Sequence, residues 1–436
     1  NKLTSFINII GMAIGLAACL MLLIYVSYEW NFDKQAPFAE DVHISMTHIT
    51  DDFGKDIMTF DGTPTALAPT IGAGLPEIKH ISRISYDWIL LISNGENSFK
   101  KTAKFADADI LNIYDYQFIA GNKKTALTKP GSVILTETMA MTLFGNTNVL
   151  NKTVRFQDQT ALNITGVVKD LSGNSSNRFD YLLPWSAFHL IDKSAIDLNW
   201  DNYSFVTLVR LHPNAKLNLV NKKMDKLIKN QTKWKSSPFF LFPLNKIHLF
   251  GKFENGKSVG GDIDQLWLFT ALALGILLIA CINFMNMATA KSEKRAKEVG
   301  IKKTIGATRS SLILQFLTES IILTAISVFI AISLVEALLP AFGNLLNINL
   351  GISFFDYKIW LVILGTVLLT GLIAGSYPAF YLSSYNPIQV LKQKTKGRQF
   401  FSLSLRQALI VGQFCFAVML IISTLVIYKQ IQFIKD

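Results

Sequence analysis

Residues 281–307, CINFMNMATAKSEKRAKEVGIKKTIGA, decide the class of this protein, because an apolar stretch passes here directly into a basic one. On the N-terminal side, residues 265–290 contain no charged side chain, and a helix of roughly 20 apolar residues can cross a bilayer. On the C-terminal side, residues 291–309 carry seven Lys and Arg side chains against two Glu side chains. An uncharged run that ends in a basic loop is typical of a helix that crosses a membrane towards the cytoplasm.

The composition of the whole chain is that of a membrane protein. Half of the 436 residues are apolar, 17% are charged, and the mean hydropathy is +0.33. Further runs with few or no charges have the length of a membrane span. We therefore predict five membrane-spanning helices, at residues 1–28, 265–290, 311–340, 358–381 and 407–428.

The basic residues of the short loops predict how these helices are oriented. Residues 291–310 and 382–406 are rich in Lys and Arg, whereas residues 341–357 carry a single acidic side chain. The first two connections are therefore expected to face the cytoplasm and the third to face outward, which places residues 29–264 outside as well. That segment has nearly equal numbers of basic and acidic side chains, so the net charge of +11 comes from the cytoplasmic loops and flanks. We attribute this net positive charge to the topology of the chain in the membrane and expect no nucleic-acid partner.

Residues 29–264 have the pattern of an α+β domain. Apolar runs predict strands at residues 132–136, 161–168 and 204–211. Runs with helical periodicity predict helices at residues 136–141 and 217–229. The three cysteines of the chain all fall inside predicted spans, so this domain must be held by its core alone. The predicted class is an α-helical integral membrane protein with a large α+β extracytoplasmic domain.

Two catalytic motifs match one short stretch, residues 251–261, GKFENGKSVGG. The P-loop pattern GxxxxGK[ST] is matched by Gly251, Gly256, Lys257 and Ser258, and the nucleophile elbow GxSxG is matched by residues 256–260. A working P-loop follows a buried strand and opens a helix that holds phosphate. Here the next residues are poor helix formers and the loop lies outside the cytoplasm. We interpret both matches as fortuitous and expect the glycines to form a flexible joint before the second span.

No other stretch has the residue pattern of a catalytic or metal site. The six histidines lack the spacing of metal ligands, and no nucleophile, base and acid are arranged as in a catalytic triad. We therefore predict that this chain is not itself an enzyme and binds no metal or cofactor.

Small residues inside the predicted spans are candidates for close helix packing. Gly11 and Gly15 have the GxxxG spacing that lets two helices approach in lipid, and so do Gly371 and Gly375. The partner helix belongs either to the same chain or to a second copy in a dimer.

Four further residues in the spans have more than one interpretation. Asn283 and Asn286, one turn apart, are expected to hydrogen-bond across helices, with contact to a substrate as the alternative. Glu319 is either a functional carboxylate inside the membrane or an interfacial one. Pro378 is expected to kink or end the fourth span.

Residues 292–307 predict a short charged, amphipathic helix. Gly306 suits its C-terminal cap, and Thr308 can cap the start of the third span. We expect a small apolar knob, ringed by charge, that docks in a partner's groove; its members are Ala296, Val299, Gly300 and Ile305. The alternative is a basic loop that lies on anionic lipid.

The two ends of the chain show a weak internal repeat. Ile9-Ile10-Gly11 and the residues up to Tyr28 are similar to Ile410-Val411-Gly412 and the residues up to Tyr428. If the fifth span restarts the pattern, residues 429–436 begin a second outer domain. We therefore expect this chain to be a fragment of a duplicated protein.

The motifs together resemble a known family. Residues 281–290, 293–301 and 305–307 are similar to the FtsX-like permease signature, and Gly375-Ser376-Tyr377-Pro378-Ala379 is similar to the end of its last span. The outer segment resembles the MacB-like periplasmic core domain; the similar motifs there are Asn31-Phe32-Asp33, Leu75-Pro76-Glu77-Ile78, Ala120-Gly121, Val133-Ile134-Leu135-Thr136-Glu137, Leu143-Phe144-Gly145 and Thr165-Gly166-Val167-Val168-Lys169-Asp170. Asp41-Val42-His43-Ile44 departs from the pattern of the family.

The resemblance implies a permease subunit of a type VII ABC transporter, whose ATPase is a separate cytoplasmic protein. It places a coupling helix near residues 296–307 and assigns contact with the ATPase to Ala296, Glu298, Val299, Gly300, Ile301, Lys302, Ile305 and Gly306. Motion of this helix would be transmitted to the outer domain. The substrate would then not have to pass through a pore between the membrane helices.

The implied activity is export of periplasmic or membrane cargo from the bacterial inner membrane. The alternative is a transmembrane signal transmitter that controls a periplasmic cell-wall hydrolase without transport. The expected partners are the ABC ATPase subunit, membrane lipid, a second permease copy and a periplasmic adaptor or effector.

Overall fold

The computed structural model describes residues 2–51, 53–193, 197–232, 238–290, 292–352, 354–384 and 399–435. The chain forms two compact units, which we name the helical unit (Asn1–Ser27 and Trp267–Asp436) and the sheet unit (Tyr28–Leu266). The helices are α1 (Lys2–Trp30), α2 (Leu67–Gly74), α3 (Ile110–Tyr114), α4 (Glu137–Phe144), α5 (Leu217–Thr232), α6 (Leu244–Phe250), α7 (Ile263–Ala290), α8 (Ser292–Thr304), α9 (Arg309–Leu346), α10 (Tyr357–Ser383) and α11 (Gln399–Lys435). The strands are β1 (Val42–Thr50), β2 (Asp56–Phe60), β3 (Ile78–Ser85), β4 (Trp88–Asn94), β5 (Asn97–Ala106), β6 (Phe118–Gly121), β7 (Ser132–Thr136), β8 (Thr153–Phe156), β9 (Thr160–Val168), β10 (Tyr181–Pro184), β11 (Phe205–Leu211), β12 (Phe239–Pro243), β13 (Lys252–Glu254) and β14 (Lys257–Gly260).

Five helices of the described chain are long and apolar enough to cross a membrane, which confirms the predicted number: α1, α7, α9, α10 and α11. All five extend past the predicted bounds, and two of them do so by more than one helical turn at the C-terminal end. Helix α9 continues through Pro340 to Leu346, and α11 runs on to Lys435, so residues 429–435 extend a helix. Residues 385–398 of the predicted basic linker lie outside the described residues.

Pro378 does not end the fourth span. Helix α10 continues past it to Ser383, so of the two expected effects, a kink or an end, the structure excludes the end. A proline inside a helix removes one backbone hydrogen bond, and neighbouring helices in a membrane protein make this tolerable. Pro378 is buried among such neighbours, as are Gly371, Ala374 and Ala379 on the same helix.

Buried apolar side chains hold the helical unit together. Met12 and Leu16 of α1 pack with Cys281 and Phe284 of α7 in one cluster. The same cluster includes Val328, Ala331, Val335 and Leu339 of α9 and Ala374 of α10. Four of the five long helices therefore share one core.

The sheet unit is built on twelve strands of the described chain, which pair in the order β10-β7-β9-β8-β4-β5-β3-β11-β1-β12, with β2 on β1 and β6 on β9. Strand β10 also pairs in parallel with β5, Tyr181 opposite Ala103, and this pairing closes six strands into a ring. The ring is filled by large aromatic side chains, among them Phe105, Phe156 and Tyr181. Helices α2 and α5 pack with β11 and β12 in a separate core.

The predicted elements of this α+β domain are confirmed. Strands β7, β9 and β11 occupy the three apolar runs, and all residues of β7 and β11 are buried. Thr136 ends β7 and caps α4, because its Oγ1 accepts a hydrogen bond from the backbone N–H of Met139.

Candidate functional site

Helix α8 is attached to the next two helices of the chain, α9 and α10. At its first half, the Arg295 guanidinium donates two hydrogen bonds to the carboxylate of Glu319 on α9. In its middle, Val299 is buried in a cluster with Leu312 of α9 and Leu382 of α10. Near its end, Lys303 Nζ donates to the backbone oxygen of Ser383 on α10 at 2.7 Å. These three contacts fix one face of α8 against α9 and α10.

The predicted apolar knob is wrong in its composition. Val299 is 1% exposed and Gly300 is buried as well, so neither faces outward. The exposed apolar side chains are Ile301, 53% exposed, and Ile305, 81% exposed. The reason is that α8 has apolar residues on two faces, and packing against α9 and α10 selects the face of Val299. The side chain of Ala296 lies outside the described residues.

The exposed face of α8 also carries charge. Lys302 forms an ion pair with Glu298, one turn earlier, at 2.9 Å, and its Nζ also donates to Gln315 Oε1 on α9 at 3.1 Å. What we name the α8 outer face consists of Glu298, Ile301 and Lys302 of α8 and of Ile305 in the turn that follows. It is a small apolar surface flanked by both signs of charge, suited to a protein partner.

The turn after α8 is defined by its backbone. The N–H of Gly306 bonds to the oxygen of Lys303 and the N–H of Ala307 to that of Lys302, which is the Schellman pattern of a helix end. Gly306 has a φ of 103°, as this cap requires. Thr308 then caps α9 by accepting from the N–H of Ser311, as predicted. The sharp turn presents Ile305 at the tip.

The glycines of the first GxxxG pair lie against α7 of the same chain. A Cβ atom on Gly15 would lie 2.7 Å from Ala280 Cβ, and one on Gly11 would lie 3.2 Å from Asn283 Nδ2. At Gly15 only a residue without a side chain allows so close an approach, whereas at Gly11 a side chain would require a small shift of Asn283. Asn283 thus sits at the crossing of α1 and α7, and Asn286 is half-buried one turn further along α7.

The second GxxxG pair lies against α9. A Cβ atom on Gly375 would lie 2.7 Å from both Cβ and Oγ of Ser320, and one on Gly371 would lie 3.0 Å from the Cα of Ile321. Both pairs are therefore used for contacts within this chain, and a dimer remains a prediction that rests on other surfaces.

The glycine-rich stretch 251–261 is a β-hairpin and not the flexible joint that we expected. Strands β13 and β14 pair with Glu254 opposite Lys257, and the turn residues Asn255 and Gly256 have φ values of 52° and 69°. Such a turn is typical of Asn-Gly in a two-residue hairpin. The N–H of Asn255 donates to Asp56 Oδ2 at 2.8 Å, which fixes the turn on the sheet unit. The backbone N–H groups after Lys257 lie in a strand and do not open a helix.

A polar cluster at the end of α1, within the sheet unit, was not predicted. The Tyr28 hydroxyl donates to the oxygen of Gly173 at 2.6 Å, and Asn174 Nδ2 donates to the oxygen of Asn31 at 3.1 Å. Asp33 Oδ1 accepts from the N–H of Ser176 at 2.8 Å. The sequence signals were Asn31-Phe32-Asp33 and a loop-forming run at 174–177, but no spacing rule joins segments that lie so far apart.

Burial controls the chemistry of this cluster. It raises the pKa of Asp33 above the ordinary value of 3.8, and the hydrogen bonds from Ser176 and Ser175 and the nearby His248 oppose that shift in part. His248 itself pairs with Glu29 and stacks on Phe32, with ring centroids 3.8 Å apart. The cluster ties the last turn of α1 to the loop at 172–177.

Among the described residues no group of three or more His, Cys, Asp or Glu side chains is arranged to hold a metal ion. Three histidines instead pair with single carboxylates: His48 with Asp56, His80 with Asp109, and His248 with Glu29.

Comparisons with known proteins agree with this architecture. The family model described as MacB-like periplasmic core domain matches residues 5–227, and the one described as FtsX-like permease C-terminal matches residues 270–387. A curated relative is the "Uncharacterized ABC transporter permease YknZ" of Bacillus subtilis, 25% identical over 282 residues, or 64% of either chain. The "Macrolide export ATP-binding/permease protein MacB" of Neisseria meningitidis is 24% identical over 60% of this chain and 38% of its own. This chain thus spans 64% of the length of the first relative and 38% of the second.

A solved structure, the periplasmic region of MacB from Actinobacillus actinomycetemcomitans, covers 48% of this chain and 92% of its own at 14% identity, with a TM-score of 0.36. The first family model covers more than half of the 436 residues, and the second covers most of the helices that follow. The chain therefore belongs to the family with a MacB-like periplasmic core domain, here joined to an FtsX-like permease C-terminal region.

Proposed function

We propose that this chain is the permease component of an ABC transporter in a bacterial inner membrane and that the α8 outer face receives the motion of an ATPase partner. Family membership and the names of the relatives support the class. The observation that carries the proposal is the two-sided arrangement of α8. One face is fixed by Arg295, Val299 and Lys303, and the opposite face presents Ile301 and Ile305.

This arrangement suits a part that transmits force. Because three separate contacts hold α8 to α9 and α10, a push on Ile305 moves those helices together with α8. A helix attached at one point only would tilt by itself. Two exposed isoleucine side chains flanked by charge fit a groove on a protein partner, whereas a lipid surface would favour an unbroken basic face.

Helices α1 and α7 are the elements through which motion would reach the sheet unit. The division between the two units falls within these helices, after Ser27 and before Trp267. Gly15 packs against Ala280, so the two helices are in close contact inside the helical unit. We propose that the sheet unit lies outside the cytoplasm and responds to this motion by moving periplasmic or membrane-derived cargo. The assembly would contain two copies and an adaptor or effector outside.

The test is the ATP hydrolysis rate of the cognate ATPase, reconstituted with the full-length permease in lipid nanodiscs. We expect Ile305→Gln to lower the permease-dependent rate about tenfold, which is the loss typical of a central interface residue. The matched control is Ile89→Gln on β4, because Ile89 is 72% exposed and lies in the sheet unit. Both variants should keep the melting temperature of the wild type. A normal rate with Ile305→Gln, or an equal loss with Ile89→Gln, would contradict the proposal.

A further inference from the structure

A small polar cavity lies inside the helical unit, where α1, α7, α8, α9 and α10 meet. Its volume is about 40 Å³. Its wall is apolar and polar in nearly equal parts, and the apolar part comes from side chains such as Phe284 and Phe316. The polar part of the wall comes from four side chains on three helices: Asn8 of α1, Arg295 of α8, and Glu319 and Ser320 of α9.

Asn8 is the unusual member of this wall. Its side chain is 8% exposed, and its Oδ1 atom has no hydrogen-bond donor among the described residues. A buried acceptor without a donor is costly, and in folded proteins an ordered water commonly supplies the missing bond. The cavity is where such a donor can be placed.

The charges in the wall decide what kind of molecule fits. Arg295 and Glu319 form a pair without net charge. A cation in the cavity would be repelled by the guanidinium, and an anion would be repelled by the carboxylate and by Asn8 Oδ1. The favoured ligand is therefore neutral, with a hydrogen to donate to Asn8. It must also accept, because a guanidinium has five N–H groups and two of those on Arg295 are used by Glu319.

The volume decides the size of the ligand. A water molecule needs roughly 10–15 Å³ of cavity volume on this measure, so a cavity of about 40 Å³ has room for at least one. We propose that this cavity binds an ordered water molecule, which donates to Asn8 Oδ1 and accepts from the guanidinium of Arg295. The water joins α1 to the ion pair between α8 and α9. Among the described residues, no direct hydrogen bond connects Asn8 Oδ1 to that ion pair.

The direct test is a density map of the full-length permease in nanodiscs at a resolution that shows ordered waters. We expect one peak within hydrogen-bond distance of Asn8 Oδ1 and of Arg295. A cavity without such a peak overturns the proposal. This observation does not depend on the proposed function, because it needs no ATPase.

The second test uses Asn8→Leu, which keeps the number and branching of the heavy atoms in the side chain and removes the amide oxygen. If a water bridges the two groups, the variant loses that bridge. The melting temperature should then fall by about 2 °C, and the effects of Asn8→Leu and Glu319→Gln should not add. If no water is bound, Leu instead removes an unpaired oxygen, the melting temperature rises, and the effects add, which overturns the proposal. Ser333→Leu, at an exposed position of α9, is the control for adding Leu to a span.

Discussion

Arg295 on α8 and Glu319 on α9 form a bidentate ion pair. Nη1 of the guanidinium lies 2.9 Å from Oε2 of the carboxylate, and Nη2 donates to Oε1. Glu319, ambiguous in the sequence between a functional and an interfacial carboxylate, is thus the partner of the basic helix before it. Bidentate, charge-assisted hydrogen bonds are geometrically specific, so this contact sets the angle between α8 and α9.

The first prediction concerns the loss of this pair. Glu319→Gln keeps the shape of the side chain and removes its charge. Both side chains remain partly exposed, so we expect a loss of about 1 kcal/mol in stability and a fall in melting temperature of about 2 °C. Thermal unfolding of the chain in nanodiscs measures it. The control is Glu336→Gln on the same helix, at an exposed position, which should leave the melting temperature unchanged. Equal effects of the two substitutions would mean that the ion pair contributes nothing.

The second prediction concerns the glycines in close contact. Gly375→Ala places a methyl group 2.7 Å from Ser320, so we expect overpacking to cost about 1–3 kcal/mol. The control is Gly365→Ala on the same helix, where an added Cβ meets no atom within 4 Å. There, the better helix propensity of Ala should be neutral or stabilising by up to about 1 kcal/mol. If Gly365→Ala destabilises as much as Gly375→Ala, close packing is not the cause.

The third prediction concerns Asp33 and pH. Burial raises the pKa of Asp33 in the folded chain, so the folded state binds the proton more tightly than the unfolded state does. The stabilising effect of the protonated carboxyl is complete below the ordinary pKa of 3.8 and is lost as pH rises through the raised pKa. We therefore expect Asp33→Asn to flatten the dependence of stability on pH over this acidic window.

This dependence can be followed by amide hydrogen exchange of residues 28–34 in the full-length chain. The comparison variant is Asp158→Asn, because Asp158 lies in a turn between two strands of the same unit. If both variants keep the pH dependence of the wild type, the buried carboxyl of Asp33 is not its source.

The fourth prediction separates the hairpin from the P-loop. Lys257→Ala should change neither nucleotide binding nor stability, because Lys257 is exposed on a strand. Gly256→Ala should lower the stability by about 1–2 kcal/mol, because a Cβ at a φ of 69° is strained and would lie 2.8 Å from His48 Nδ1. Thermal unfolding and a nucleotide-binding assay on the purified permease measure these effects. Loss of nucleotide binding with Lys257→Ala would restore the P-loop interpretation.

The membrane spans and several strands were predictable because their signals are local. A charge inside a bilayer is so unfavourable that uncharged runs mark spans without knowledge of any contact. The apolar run of β7, with Thr136 as the cap of α4, is readable for a similar reason, since both the strand and the cap depend on adjacent residues. GxxxG spacing likewise identified Gly15 and Gly375 as packing positions, although it did not name Ala280 or Ser320 as their neighbours.

What the sequence determined by itself was therefore the five apolar helices, the α+β class of the outer segment and the family motifs around Gly300 and Gly306. Only the tertiary structure decided which face of α8 is buried. Val299 lies on one side of this short helix and Ile301, with Ile305 just after its end, on the other. All three are apolar, and contacts with Leu312 and Leu382 select Val299 for burial. The closure of β10 on β5 and the link from Asp33 to Ser176 were decided in the same way. In each case the contacting residues are distant along the chain, and local sequence periodicity does not predict which distant residues will be in contact.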